Sequence, residues 1–526
     1  MTNTEAGILP ARLAQRVEAD PGAHLAGIDG AWITVEEVQD AARRLAYGLH
    51  RLGVRPGDRV ASIMANRREA VDLFFACAEL GAVQVPLNVF LKGEFLRYQI
   101  ADSDPSVLIV DEEAFDATKK LIAASGLTTT LIALDQGDGS APRLADLYVV
   151  GERAWEEPTP DSLLSILYTS GTTGLPKGCM IDQGYFLHMP KAHMMFDWFK
   201  PADTSITTLP LYHGFGLSSL MDALVAGCRV DFESTFSAST LISRAREVGA
   251  TQLWAVGAIG AALLATPPSD ADRDHTIERA VFIPMAPQAQ HAFEERFGVD
   301  VLAEGYGQTE VLPATMGGVR PGRDQPSCGK ALPWLDVQVV DDDDRVLPSG
   351  ESGEIVVRPR EPHSIFSGYW RKEEATLEAW RNLWHHTGDM GRFDDEGMLY
   401  FVDRKKDALR RRGENVSSVE LEVALVQHPG VAQVAVHAVP SELSEDEIKA
   451  CLVLEDGYAL DPAEMFGYFR EHLPYYAIPR YVEVIDALPV NAMGRILKHK
   501  LRADWDTPET VDFLALGLTV SRSERR

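Results

Sequence analysis

The sequence predicts an α/β protein with a large part built on parallel βαβ units and a small α+β part at its C-terminal end. Three observations carry this. Short apolar runs alternate with helical patterns from Arg59 to Val110, as strands joined by crossover helices do. An apolar strand running from Gly397 to Val402 ends abruptly in the alternating charges Asp403-Arg404-Lys405-Lys406-Asp407, as chains do at a domain boundary. A length of 526 residues also exceeds what one ordinary core organises, so at least two domains are expected.

Taken in order, Thr34 is placed to cap a helix, with Glu37 three residues on to complete a capping box. Ala41 through Leu52 carries apolar residues at helical spacing and closes at Gly53. Arg59 to Met64 reads as a strand, Glu69 to Leu80 as a helix, Ala82 to Pro86 as a strand, Phe95 to Asp102 as a helix and Ser106 to Val110 as a strand. This section is scaffold and is assigned no chemistry. Gly137 to Glu157, rich in Gly, Pro and charge, reads as a loose connector. Val337 to Val357 reads as two strands around Asp341-Asp342-Asp343-Asp344; the run lacks EF-hand spacing, so a solvated hairpin turn is expected. Beyond the boundary come a helix from Ser418 to Gln427, strands Val431 to Val439 and Ala450 to Leu454, and a helix from Pro462 to His472.

Composition narrows the classes. Lys+Arg 50 against Asp+Glu 78 gives a net charge of −28, which argues against a nucleic-acid surface but leaves room for a locally positive nucleotide site. The five cysteines are scattered without CxxC spacing, the pattern of reduced thiols. No apolar run is long enough to span a bilayer, and Met1-Thr2-Asn3-Thr4-Glu5 lacks a basic start and an apolar core, so a cytoplasmic location is expected.

The chemistry gathers around Tyr168-Thr169-Ser170-Gly171-Thr172-Thr173-Gly174-Leu175-Pro176-Lys177-Gly178, which follows an apolar run from Leu163. Glycines let successive N–H groups converge on one point, Thr169, Ser170, Thr172 and Thr173 add hydroxyl donors, and Lys177 adds a mobile charge. That is a phosphate cradle. It is not a Walker A loop, because Lys177 does not directly follow Gly174 and no Ser or Thr follows it. A second constellation is Glu304-Gly305-Tyr306-Gly307-Gln308-Thr309-Glu310: a ring flanked by glycines offers a face to a base, Thr309 can donate to a phosphate, and Glu310 is a hard ligand suited to Mg²⁺. In His385-His386-Thr387-Gly388-Asp389, adjacent His side chains diverge on a strand and make a poor metal pair, whereas Asp389 can accept from both hydroxyls of a ribose.

Together these segments closely resemble the adenylate-forming (AMP-binding) superfamily of acyl-CoA synthetases, peptide-synthetase adenylation domains and luciferases, in order and across nearly the whole chain. The resemblance implies a large N-terminal domain, 1–402, of doubly wound sheets plus a small barrel-like part. A small mobile α+β lid, 403–526, would follow, with its hinge near 403–406 and turning at Lys406. It implies ATP, Mg²⁺ at Glu310, and CoA as thiol acceptor. The phosphate loop, Thr169 to Gly174 with Lys177, and Tyr306, Thr309, Asp389 and Arg404 would hold the nucleotide, and Gly413 would line the pantetheine tunnel. The neighbouring arginines Arg410, Arg411 and Arg412 would suit the CoA phosphates, although exposed basic residues are commonly a solvated face.

By the same resemblance His213, Phe215, Trp254, Met285 and Gly305 line an acyl pocket. Taken alone, His213 reads as a core histidine and Trp254 equally as part of a buried strand. Pro284 and Met285 depart from the small residues usual before Ala-Pro, which puts the pocket's shape in question. In Leu488-Pro489-Val490-Asn491-Ala492-Met493-Gly494-Arg495-Ile496-Leu497-Lys498 the family's catalytic lysine is replaced by Arg495, a planar fork in place of a compact ammonium. Arg495 performs the step, Lys498 substitutes, or adenylation is altered.

The segment from Asp403 to Ser418 most resembles carnitine/crotonobetaine-type CoA ligases, which implies a small or polar acid. The expected reaction joins an acid to ATP as acyl-AMP and passes the acyl group to CoA. Alternatives are a carrier-protein acyl ligase, a nitrite-using diazotase acting on an aryl amine, or a regulatory nucleotide binder; a homodimer is left open. Intact Glu310, Asp389 and Lys177 argue against lost catalysis.

Overall fold

The structure is a computed structural model that describes residues 7–135, 139–169, 175–285, 287–318, 327–404, 408–411, 414–441, 446–489, 496 and 498–521. It divides into two compact units. The first comprises Met1–Asn88, Ile100–Tyr168 and Gly178–Asp403; the second comprises Val89–Gln99, Thr169–Lys177 and Arg404–Arg526.

The alternating pattern folds as the βαβ reading requires. Arg59–Ile63, Val83–Leu87 and Val107–Val110 are parallel neighbours in a six-stranded sheet that ends in Leu163–Thr169 and Lys177–Asp182. Val83–Leu87 is buried on both faces, as a strand covered by helices on both sides must be. Thr34 accepts from the Glu37 N–H while the Glu37 carboxylate accepts from the Thr34 N–H, so the helix Val35–Leu52 starts on the expected capping box and stops at Gly53 with φ 110. In a seven-stranded sheet, Asp300–Leu302, Arg279–Phe282, Gln252–Ala255, Thr204–Thr207, Arg229–Phe232 and His24–Ile28 are parallel neighbours in that order, and Ala31–Thr34 pairs antiparallel with the last of them at the edge.

Two antiparallel sheets supply the barrel-like part. One pairs Gly305–Gln308 with Val311–Met316; the other orders Leu335–Val340, Gly353–Pro359, His385–Phe393 and Leu399–Arg404. The Asp341–Asp344 run is the hairpin turn expected: Asp341 accepts from the Asp343 and Arg345 N–H groups, and Asp344 pairs with Arg381.

The second unit is α+β. A four-stranded sheet (Val431–Pro440, Asp446–Leu454, Tyr481–Val484, Val511–Asp512) carries the helices Ser418–Leu425 and Pro462–His472 over its own apolar core. Lys449, fully buried, pairs with Glu483 and donates to Thr510 Oγ1 at 2.8 Å, which ties the C-terminal segment to the sheet.

Candidate active site

The strands that flank the phosphate loop are anchored on both sides. Tyr168 donates its hydroxyl to Asp102 at 2.8 Å. Thr169 donates to the Lys177 carbonyl at 3.4 Å, so the chain on either side of the loop is drawn together at its mouth. Gly178 must be glycine, since a Cβ there would run into the Ile166 side chain. Ser170, Gly171, Thr172, Thr173 and Gly174 lie outside the described residues.

In the first unit, the Gly305–Gln308 strand turns back on Val311–Met316 with a bulge between Tyr306 and Gln308. This sends Tyr306 and Gln308 to the same carboxylate. Tyr306 Oη donates to Asp389 Oδ2 at 2.8 Å, and Gln308 Nε2 donates to the same oxygen at 2.7 Å and to the Thr387 carbonyl at 2.9 Å. Burial, reinforced by the Asp389 carboxylate, raises the Tyr306 hydroxyl well above the usual phenol range, so it remains a donor. Asp389 is set by its own strand: Thr387 donates to the Ile355 carbonyl at 2.7 Å, and Gly388, at φ 71, donates to Glu354 at 3.1 Å.

Glu310, 7% exposed, sits at the turn. Tyr369 donates to its Oε1 at 2.8 Å, and the Phe366 N–H donates to its carbonyl at 2.8 Å. Tyr185 donates to the Thr309 carbonyl at 3.0 Å. A single buried, oriented carboxylate fits Mg²⁺, which is held by one or two carboxylates together with substrate phosphates. The two histidines diverge as expected. His385 packs against Phe366 and Trp380 while His386 pairs with Glu354 at 3.1 Å.

Of the residues expected to line an acyl pocket, His213 and Phe215 are half-buried at the start of the helix Gly214–Ala226. Trp254 lies in the buried strand Gln252–Ala255 and is 0% exposed. It backs Phe215, ring to ring at 4.9 Å, and donates to the Phe215 carbonyl at 3.2 Å, so the bare-sequence alternative of a buried strand describes its place. Met285 is buried against Gly260 and Phe282, and its carbonyl accepts from Gln290 at 2.6 Å. A Cβ at Gly305 would meet the terminal methyl of Ile283 at 2.9 Å, so that side chain would have to shift.

In the second unit, Lys498 donates to Ser418 Oγ at 2.8 Å and pairs with Glu422 at 2.7 Å, which docks one helix on another. Arg411 is buried, pairs with Glu447 at 2.7 Å and donates to the Ile478 carbonyl, so of the three arginines this one serves its own unit's packing. Lys406, Gly413 and Arg495 lie outside the described residues, and Arg404 is described by its backbone alone.

The sequence reading gave no role to Gln308, Tyr369 or Asp102. Gln308 lies inside a quoted motif, and its amide at that position was the available signal; Tyr369 and Asp102 are brought in by tertiary folding from distant segments.

The fold and site define an AMP-forming acyl-CoA ligase. The AMP-binding enzyme family model matches residues 13–370, and the model for the AMP-binding enzyme C-terminal domain matches 420–495. The chain belongs to the AMP-binding enzyme family. It is 31% identical over 483 residues to a crotonobetaine/carnitine–CoA ligase of Salmonella paratyphi A, covering 88% of this chain and 92% of that one. Among solved structures it is similar to a double mutant of o-succinylbenzoate CoA synthetase from Bacillus subtilis (TM-score 0.81, 27% identity, 94% of this chain and 98% of that one). It is also similar to ATP-bound MatB from Rhodopseudomonas palustris (TM-score 0.69, 28% identity, 95% and 99%). No helix among the described residues is long and apolar enough to cross a membrane.

Proposed function

We propose that this enzyme activates a small carboxylic acid with ATP, giving acyl-AMP and pyrophosphate, and then transfers the acyl group to the thiol of CoA, giving acyl-CoA and AMP. The observation that carries this is the convergence of Tyr306 and Gln308 on Asp389, a pre-set carboxylate beside an aromatic ring. In this reading Asp389 accepts from the ribose hydroxyls, the Tyr306 ring faces adenine, and Thr169 to Gly174 with Lys177 and Thr309 hold the phosphates.

Bound Mg²⁺ would neutralise phosphate charge, and Glu310 is the residue that would hold it. In this reading Arg495 takes the role at the α-phosphate, and the engagement of Lys498 by Glu422 and Ser418 supports that choice over Lys498. Rate acceleration then comes chiefly from positioning and from donors aimed at developing charge. Residues from 403 onward act as a lid hinged near Lys406, and Gly413 lies where pantetheine enters. His213, Phe215 and Met285 shape the acyl pocket. The similarity to crotonobetaine/carnitine–CoA ligases favours a small acid.

A panel of short-chain, aromatic and betaine acids, assayed for CoA-dependent AMP release, tests this. One or more acids giving acyl-CoA is the expected result, and AMP release without any CoA dependence contradicts the acceptor.

A further inference from the structure

We propose that the segment from Ser364 to Lys372 is a strap that fixes the metal-binding carboxylate relative to the residues flanking the phosphate loop, with Tyr369 as its positioning residue. The proposal rests on the reading of Glu310 as the Mg²⁺ ligand.

The strap is hydrogen-bonded along the strand that leaves the phosphate loop. Ser367 N donates to the Met180 carbonyl at 2.9 Å, Met180 N to Gly368 at 2.9 Å, and Trp370 N to Gly178 at 2.8 Å, with Tyr369 bridged to Cys179. Successive side chains of an extended segment point to opposite faces. Tyr369 therefore reaches one way, to Glu310 Oε1 at 2.8 Å, while Trp370 Nε1 reaches the other, to the Asp102 carbonyl at 3.1 Å. Lys372 pairs with Asp102 Oδ1 at 3.0 Å, and Asp102 Oδ2 takes the hydroxyl of Tyr168, the residue before Thr169.

One short segment thus holds Glu310 by its carboxylate and, through Phe366 N, by its carbonyl. The same segment grips both residues that bracket the loop, Tyr168 through Asp102 and Gly178 through its backbone. A donor on Oε1 fixes the plane of the carboxylate, and removing such an outer-shell partner from a metal ligand typically costs about 10–100-fold in affinity.

The test is Tyr369→Phe, which deletes one oxygen and keeps the ring packed on Phe366 at 4.9 Å. Full-length enzyme in slight excess over ATP, without acid, is titrated with Mn²⁺, and the EPR signal of free ion gives the ion's affinity for the complex. The expected result is a loss of about tenfold in Mn²⁺ affinity, while metal-free AMP binding, which depends on Asp389 and Tyr306, stays at the wild-type value. Unchanged Mn²⁺ affinity, or a parallel loss of AMP binding, overturns the proposal. Glu310→Gln is run alongside. If it abolishes Mn²⁺ binding while Tyr369→Phe does not, the strap alone is refuted; if neither variant changes Mn²⁺ binding, the assignment of Glu310 fails as well.

Discussion

Tyr306 donates its hydroxyl to Asp389 Oδ2 at 2.8 Å, and both residues are buried, at 8% and 5% exposure. The ring proposed to face adenine and the carboxylate proposed to hold ribose are therefore one hydrogen-bonded unit. The bond means that changing one side chain disturbs the other's orientation.

Tyr306→Phe keeps the ring and removes the donor. Losing a hydrogen bond to a buried charge costs about 2 kcal/mol, so AMP affinity is expected to fall about thirtyfold, as read by equilibrium dialysis. Gln308→Leu should act in the same direction on the same oxygen. A double variant whose loss is simply the sum of the two would show that they do not act as a unit.

Lys498 and Arg495 separate by readout. Lys498→Met leaves Glu422 without its cation in a site where the pair is 13% and 18% exposed, so a lower unfolding midpoint is expected, with pyrophosphate exchange per folded enzyme retained. Arg495→Ala is expected to lower exchange about a hundredfold, the usual loss for a group that stabilises developing charge. It should still convert synthetic acyl-AMP to acyl-CoA. Exchange lost in Lys498→Met and kept in Arg495→Ala would reverse the two roles.

Gly413→Ile places a branched side chain where pantetheine is proposed to pass. Pyrophosphate exchange should persist while thioester formation from synthetic acyl-AMP falls. Intact thioester formation would move the thiol's path elsewhere.

Acid stability follows from His385. Burial pushes its imidazole down to about 3, and its two ring nitrogens have no hydrogen-bond partner among the described residues. The folded state therefore keeps it neutral while the unfolded chain takes up a proton below about 6.5. Its contribution is complete above the unfolded value and is lost as pH falls towards 3, amounting to about 2 kcal/mol by pH 5. Unfolding midpoints measured between pH 7 and 5 should fall more steeply for the wild type than for His385→Leu. Equal slopes would mean that His385 is not held neutral.

Much of this was legible because local rules and tertiary fold agree. The Thr34–Glu37 capping box, the parallel strands from Arg59 to Val110 and the Asp341 turn each depend on neighbours in sequence, and each formed. The pairing of Tyr306 with Asp389 spans 83 positions, and that of Tyr369 with Glu310 spans 59. No periodicity encodes such contacts. Trp254 shows the other limit: an apolar strand end reads the same whether its ring lines a pocket or, as here, is fully buried against Phe215. Lys498 shows that a lysine near a motif can be spent on helix docking.

The most direct measurement is the nucleotide product. Enzyme, ATP, Mg²⁺, CoA and an accepted acid are incubated, and nucleotides and thioester are quantified by chromatography. Equal amounts of AMP and acyl-CoA, with pyrophosphate, are predicted. ADP as the nucleotide product, or AMP formed without thioester when CoA is saturating, would contradict the account.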